Sequence, residues 1–526
     1  MNYTMHTEID IYSSIQATQR ILHPHFLSFT IDISLLLGGH WWGNTRRLVR
    51  GVAADQTQPL DLSDSQLVNL TQLLAPAMIR IGGTEADRIW YKGGKKAAAQ
   101  LAPDMKMDAL QGLQIHEYVL DKKTWKALHT FLEKTGMELL FTVSAGPADR
   151  DSQGRWQEGN ALKLMAYSRK KGYRVAAWEF GNEVNGFPFI YGWKYRVKPA
   201  QYIRDFVRFG HLVKRLYPES KIIGPASAVW PLIGEPYPII KKLCKSPAAL
   251  YLDGVSWHFY PQQSSRGRLA TRRAAWDRLL SPRTLTEVLR RNTPIQSAIE
   301  AAKAMRPASA PVENWMTETG HALYGGEPGL SDTFVSTLWW LDELGLLARN
   351  GVSRVFRQAL VGSDYGLLDE KSLSPRPDYY ASFLWKRLMG SQVHSPHCLI
   401  EAPAKLRLYL HSDENQRVSL LAINIDKTKR GRAKPASIRL FLKEKFSATN
   451  VERYLLEGSG GVTSSRVLLN GVPLEEDLVH KWGKKKMLQK YRIQELSEAE
   501  TGLLFSVPPL SALFVHFALP SLKSMI

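Results

Sequence analysis

Cysteine is nearly absent from this 526-residue chain: Cys244 and Cys398 are its only two. Two thiols so far apart exclude a disulfide framework and a cysteine-based zinc site; a single bridge between them stays open. Long apolar runs are missing too, which excludes a membrane-spanning helix. The first residues, MNYTMHTEIDIYSSIQATQR, show no basic segment followed by an apolar one. No signal peptide is therefore expected, and the compartment stays open between the cytoplasm and export by another route. No His, Cys and Asp residues cluster at metal-ligand spacing, so neither a metal nor a cofactor is expected. Acidic residues are in deficit, 49 Asp and Glu against 69 Lys and Arg, which leaves a formal net charge of +20. A field of that sign gathers anionic partners, whether nucleic acid, an anionic membrane or an acidic polysaccharide, and charge alone does not choose among them.

What is present is ordinary for a globular protein of more than one domain, with 44% hydrophobic and 22% charged residues. Aromatic residues suit sugar rings, but core packing accounts for most of them. Eight short apolar runs follow one another: FLSFTID (26–32), MIRIGG (78–83), ELLFTVS (138–144), AAWEF (176–180), KIIGP (221–225), GVSWHFY (254–260), NWMTET (314–319) and RVFRQAL (354–360). Segments of helical period separate most of them. Examples are 61–74, 160–171 and a helix after Glu318 with Ser331 as its cap, Phe334, Leu338, Leu341 and Leu344 on one face, and Asn350-Gly351 as its stop. Continuous apolar strands alternating with helices indicate a parallel sheet, and eight such units a (β/α)8 TIM barrel over 20–388. From about residue 390 strand-like runs dominate, broken by turns such as Asn470-Gly471, apart from a polar helical stretch near 491–500. These predict a C-terminal β-sandwich domain over 389–526, joined by an N-terminal strand around 9–15.

In a barrel of this kind the strand ends gather polar side chains on one face, where active sites lie. Within WEFGNEVNG the strand breaks at Gly181 and delivers Asn182 and Glu183; NWMTET delivers Glu318. Two carboxyl groups at strand tips are what a retaining glycosidase needs, Glu183 as acid/base and Glu318 as nucleophile. Glu179 is the rival to Glu183, but it lies within the strand, where a structural ion pair is the better reading. His258 reads as scaffolding of the site. The segment SSRGRLATRR follows the His258/Tyr260 strand, so Arg266, Arg268, Arg272 and Arg273 are expected near the barrel mouth, where guanidinium groups bind carboxylates or sulfates.

RIGGTEAD, WEFGNEVN, VSWHFY, GRLATR, TETGHALYGGEPGLSDTF and PDYYASFLWKRLMG together resemble glycoside hydrolase family 79 and, within it, the heparanases, endo-β-glucuronidases acting on heparan sulfate. The resemblance runs from about Phe26 to the C-terminus and implies the same barrel-plus-sandwich fold. It places the acid/base on Glu183 and the nucleophile on Glu318. Asn182 would hold the sugar 2-hydroxyl or tune the site, and Tyr260 would hydrogen-bond the nucleophile. Asp32, Thr84, Tyr324, Gly325, Gly326, Gln358 and Tyr365 would line the cleft. The Tyr324–Gly326 backbone N–H groups would receive the glucuronate carboxylate, and Arg268 would flank the cleft. Three departures stand out. The span between Tyr91 and Trp125 is too short for the excised linker of two-chain heparanases, which implies an active single chain of the bacterial type. Glu327 replaces the third glycine of the family's YGGG. Residues 225–236 lack arginines found there in the two-chain enzymes.

The expected protein is thus a retaining endo-β-D-glucuronidase acting, as a monomer, on an acidic polysaccharide such as heparan sulfate or heparin, with no nucleic acid partner. An exo-β-glucuronidase of the same family, or a noncatalytic binder of anionic glycans, are the alternatives.

Overall fold

The structure, a computed structural model, describes residues 5–43, 48–49, 52–91, 118–229, 237–267, 270–308, 310–427, 434–441, 449–474, 493–495 and 502–519. The eight apolar runs form parallel strands β1 (Leu27–Asp32), β2 (Ala77–Gly82), β3 (Met137–Val143), β4 (Ala177–Phe180), β5 (Lys221–Val229), β6 (Gly254–Phe259), β7 (Glu313–Thr319) and β8 (Arg354–Gln358). They close into a barrel. Its last seam sets Val355 of β8 against Leu27 of β1 and Gln358 against Thr30. A principal helix follows each strand in turn: α1 (Ser65–Leu73), α2 (Lys122–Thr135), α3 (Gly159–Lys170), α4 (Pro199–Leu216), α5 (Tyr237–Cys244), α6 (Glu287–Lys303), α7 (Phe334–Arg349) and α8 (Pro377–Leu388). Local chemistry sets their ends. Asp64 caps α1 by accepting from the N–H groups of Gln66 and Leu67, and Asp121 caps α2 through Thr124.

Strand periodicity sorts the barrel interior into layers. Met78, Leu140, Ala177, Ile223, Trp315 and Phe356, from six different strands, form an apolar cluster of their own. Two residues onward, on the same face of their strands, come Arg80, Thr142 and Glu179, all fully buried. The interior is apolar at one level and polar at the next. Strand β7 obeys this rule only through a bulge. Trp257 pairs with Met316 but His258 pairs with Glu318, so Thr317 is an extra residue opposite β6. The extra residue reverses the inward parity, and Glu318 faces the interior that Trp315 faces below it.

Two sheets make up most of the rest. The smaller runs His397–Ile400, Met5–Asp10, Ala436–Phe441, Leu503–Val507; the larger includes Leu406–Ser412, Arg417–Asn424, Ser511–Ala518 and Thr449–Gly458. Leu408, Leu410, Leu420, Val515 and Phe517 pack toward Ile9, Ile438, Leu440 and Phe505 of the smaller sheet. The alternate residues Tyr409, Leu421, Ile423 and Phe514 join the core of the barrel. The larger sheet is therefore buried on both faces, which is why RVSLLAINI reads as an unbroken apolar run. Asn470 and Gly471, both with positive φ, turn the hairpin that sets Leu469 opposite Val472.

Several expectations need correction. The N-terminal strand covers Met5–Asp10, and residues 11–15 are helical because Asp10 accepts from the Ser13 N–H and caps them. Arg20 and Ile21 pair with Val393 and Gln392 of the larger sheet and do not belong to the barrel wall. Ser331 does not cap α7, whose cap position is Thr333; its hydroxyl binds the His321 ring and accepts from the Glu327 N–H. Every residue of α7 from Phe334 to Ala348 is buried, not one face alone, because the larger sheet covers its outer side. Of the stretch 491–500, Ile493–Glu495 is a strand paired to Val451–Arg453, and the remainder lies outside the described residues. So does the span 92–117, on which the single-chain expectation rests.

Candidate active site

Glu318 leaves the end of β7 and Glu183 follows the end of β4. A carboxylate oxygen of each, together with a His258 ring nitrogen, lie within 4.8 Å of one another. All three residues are buried. Gly181 makes the turn that delivers Glu183: its φ is +74°, and a Cβ there would stand 2.6 Å from Val184 Cγ2 and 2.9 Å from Ala145 Cβ. Glu183 itself holds a left-handed conformation, φ 50° and ψ 43°, with its N–H bonded to Ala226 O at 2.9 Å. A non-glycine residue held there costs on the order of 1–2 kcal/mol, and such strain collects at functional sites.

Both oxygens of Glu318 are engaged. Tyr260 donates to Oε1 at 2.6 Å and Arg80 Nη1 to Oε2 at 3.0 Å. The same guanidinium donates through Nε to Glu179 at 2.8 Å and through Nη2 to Asn182 Oδ1 at 2.8 Å. Glu179 also accepts from Thr142 at 2.8 Å, so it is the buried ion-pair partner and not a second acid. Burial pushes the Glu318 carboxyl above its ordinary value, against the pull of the Arg80 charge and the bonds from Tyr260 and Arg80. Burial, and then Arg80, hold His258 well below its usual range, so it is a neutral imidazole. Its Nδ1 lies 3.0 Å from Glu183 Oε1. An uncharged partner hydrogen-bonds Glu183 without fixing its negative charge.

Asn182 is pinned twice, by Arg80 at its side chain and by Asp87 Oδ2, which accepts from its N–H at 2.9 Å. Asp87 Oδ1 accepts from Ala145 at 2.7 Å, tying the β3 and β4 loops together. Asp32 caps a short helix by accepting from Ser34 N–H at 2.9 Å, with Gln358 Nε2 at 3.4 Å. Burial first, and then the nearby Glu318 charge among lesser causes, push Asp32 up to about 7. Tyr365 stacks at 6.4 Å on Tyr260 and feels the charges of Glu318 and Asp32. Tyr324, edge-on to Trp42, feels that of Glu183. Thr84 opens the turn after β2, half-buried.

The loop at 324–326 differs from expectation in one respect. Gly326 N–H already donates to Ala322 O at 3.0 Å. Of the three N–H groups expected to take a carboxylate, those of Tyr324 and Gly325 alone have no partner among the described residues. Gly325 has φ +84°, and a Cβ there would meet Ser363 Oγ at 2.3 Å. Glu327, in place of a third glycine, accepts from Ser265 N–H at 2.6 Å and ties this loop to the one after β6. Arg266 does not offer its charge to the mouth: it is buried, donates to Gly326 O at 2.6 Å and Gly43 O at 3.1 Å, and pairs with Asp364. Arg268 lies outside the described residues.

Glu183, His258 and Glu318 are spaced as metal ligands could be. The Arg80 charge against Glu318 makes this a poor home for a cation, and the set fits proton transfer and nucleophilic attack. Arg80 and Asp87 were not singled out by sequence. Arg80 carried a signal, a lone charge in the apolar run MIRIGG, which demands a buried acid. Asp87 stood in RIGGTEAD beside Glu85 with nothing to separate the two.

A family model described as glycosyl hydrolase family 79, N-terminal domain, matches residues 41–345. The chain belongs to this family and is a glycoside hydrolase. Heparanase of Bos taurus is 29% identical to it over 94% of this chain and 89% of that protein. Baicalin-beta-D-glucuronidase of Scutellaria baicalensis is 27% identical over 88% and 85%. Among solved structures, 4-O-alpha-L-rhamnosyl-beta-D-glucuronidase from Fusarium oxysporum 12S matches with TM-score 0.63 and 16% identity over 97% of this chain and 99% of that one. The alpha-L-arabinofuranosidase of Thermotoga maritima matches with TM-score 0.62 and 15% identity over 97% and 98%. At these identities the two structures speak for the fold. No helix among the described residues is long and apolar enough to cross a membrane.

Proposed function

We propose that the chain is a retaining endo-β-D-glucuronidase that cuts glucuronidic linkages in an acidic polysaccharide of the heparan sulfate type. The observation that carries this reading is the approach of Glu183 and Glu318 oxygens to within 4.8 Å. Retaining enzymes hold their carboxyl groups about 5–5.5 Å apart, whereas inverting ones leave about 6.5–9.5 Å for a water. Glu318 attacks the anomeric carbon as Glu183 gives its proton to the departing glycosidic oxygen. The covalent glycosyl ester on Glu318 is then hydrolysed by a water whose proton returns to Glu183. Tyr260 and Arg80 orient Glu318 and receive its charge again when the ester breaks. Asn182 faces the sugar with its amide Nδ2, and the N–H groups of Tyr324 and Gly325 take the uronate carboxylate.

The named activities of the relatives support a glucuronide substrate, and the net charge of +20 supports a polyanionic one. One relative, the baicalin glucuronidase, keeps an exo reading in play. Incubation with heparan sulfate and with an aryl β-glucuronide, sizing the products of each, separates the two. Mid-size fragments appearing early are the endo result; release of monosaccharide alone is the exo result. Turnover of neither substrate would sink the proposal.

A further inference from the structure

Beyond the catalytic pair, the segment after β6 borders an open cavity of about 340 Å³ lined by arginine. Its wall carries Arg272, Arg273, Arg278, Arg283, Arg290 and Arg291, with Glu287 the one acid among the described residues. Glu287 is already taken: Arg272 Nη1 lies 2.6 and 2.5 Å from its two oxygens and Arg291 Nη2 at 2.9 Å. Arg273, Arg283 and Arg290 have no acidic partner among the described residues, and all three are exposed. Several guanidinium groups facing one concave space repel one another unless an anion lies between them. Their forked donors match the oxygens of sulfate and carboxylate groups. The volume is at the small end of ligand pockets, about 300–1,000 Å³, which leaves room for a charged sugar unit.

The wall is built, not loose. Gln263 Oε1 accepts from the N–H groups of Thr271 at 2.7 Å and Arg272 at 3.1 Å. Gln262 exchanges two hydrogen bonds with the Ala275 backbone, each 3.1 Å, and its Oε1 meets His321 Nε2 at 3.0 Å. The arginine segment is thereby bolted to the continuation of β6 and to the loop that follows Glu318. Pro261 and Gln262 line the cavity, and Tyr260, which holds Glu318, is two residues from Gln262. That is a span of at most about 7 Å between their Cα atoms.

We propose that this cavity is an oxyanion site that captures a sulfate-bearing unit of the polysaccharide beside the active-site mouth. Arg273, Arg283 and Arg290 grip the anion, and the Arg272–Glu287–Arg291 group shapes the floor. The choice of a glycan rests on the glucuronidase reading; the oxyanion chemistry does not. A single-stranded nucleic acid asks for a groove that tracks a backbone past stacking aromatics, and among the described residues this compact cavity has no aromatic in its lining.

The test is calorimetric titration of a heparin octasaccharide into full-length protein carrying Glu318→Gln, so that no turnover intrudes. A triple variant, Arg273→Glu with Arg283→Glu and Arg290→Glu, is compared with a control, Lys126→Glu with Lys170→Glu and Lys241→Glu. The control changes the same charge at exposed positions elsewhere. The pocket variant should lose at least tenfold in affinity and the control less than twofold, with melting temperatures of both unchanged. Equal losses in the two, or no loss in the pocket variant, would overturn the proposal. So would an oligothymidylate that binds more tightly than the octasaccharide and depends on the same arginines. Hydrolysis of an aryl glucuronide by the unsubstituted protein is scored separately: its absence defeats the glucuronidase reading and leaves the octasaccharide result standing.

Discussion

Arg80 is the buried cation that pairs with Glu318. It lies between Glu179 and Glu318 with no solvent exposure of its own, and it also holds Asn182. Burial works against its charge, but the two carboxylates outweigh that and raise its pKa. Taking one partner from a buried ion pair costs about 3–5 kcal/mol. Arg80→Met should therefore lower stability by about that much in denaturant titration and lower kcat far more than it raises KM. A stable, active Arg80→Met protein would mean that Glu318 is positioned by something else.

Asp32 gives a pH prediction. Its folded pKa, about 7, is above the ordinary 3.8, so the folded protein binds this proton more tightly than the unfolded chain. Its contribution to stability is fully present below about pH 4 and is lost as pH rises through about 7. The same ionisation sets a second negative charge beside Glu318 and repels a uronate. The kcat/KM profile should fall on the alkaline side of about pH 7, and Asp32→Asn, which cannot ionise, should move that limb upward. An unmoved limb would assign it to another group. At this scale the sequence revealed the tips of the strands but not their partnerships. Tyr260 and Glu318 were each visible, whereas the role of Arg80 depends on three acceptors drawn from β4, its loop and β7. The inward aim of Glu318 depends on the bulge at Thr317, which leaves no mark in the order of residues.

At the scale of elements, the loop after β4 concentrates the strain. Gly181 at φ +74° leaves no room for a methyl group between Val184 and Ala145. Gly181→Ala should cost at least about 1–2 kcal/mol from the left-handed backbone alone, and it should displace Glu183. A melting curve together with kcat on an aryl glucuronide tests this; loss of stability with unchanged kcat would show that the turn does not aim the acid. Strands and helices were legible because their periods are short and their faces buried. Boundaries that depend on competing caps were not. Asp10 ends a strand by starting a helix, and Ser331 is drawn from a cap to His321. The Gly326 N–H, expected to await a ligand, closes its own turn.

On the scale of the whole molecule, α7 joins the barrel to the larger sheet. Asp342, fully buried, accepts from Arg407 Nε at 2.7 Å and from the Tyr409 hydroxyl. Gly345 lies against the Tyr409 ring, where even a Cβ would approach to 2.3 Å. Asp342→Ala strands a largely buried guanidinium and should destabilise by about 3–5 kcal/mol. Calorimetry should show one transition moving down as a unit, because the barrel core continues into that sheet; a shift confined to part of the melting profile would contradict this. The net charge of +20 was plain from composition, but where it gathers was not. Arg266 is consumed inside the protein, while the arginines of the 272–291 cavity come from one loop, two short helices and the start of α6.

The pairing of Glu183 with Glu318 across a sugar is tested most directly by trapping the covalent intermediate. The protein is treated with a 2-deoxy-2-fluoro-β-glucuronyl fluoride, and the labelled peptide is mapped by mass spectrometry. One glucuronyl unit on Glu318, absent from Glu318→Gln, is the expected result. A label on Glu183, or no adduct while the substrate turns over to a product of inverted configuration, would contradict it.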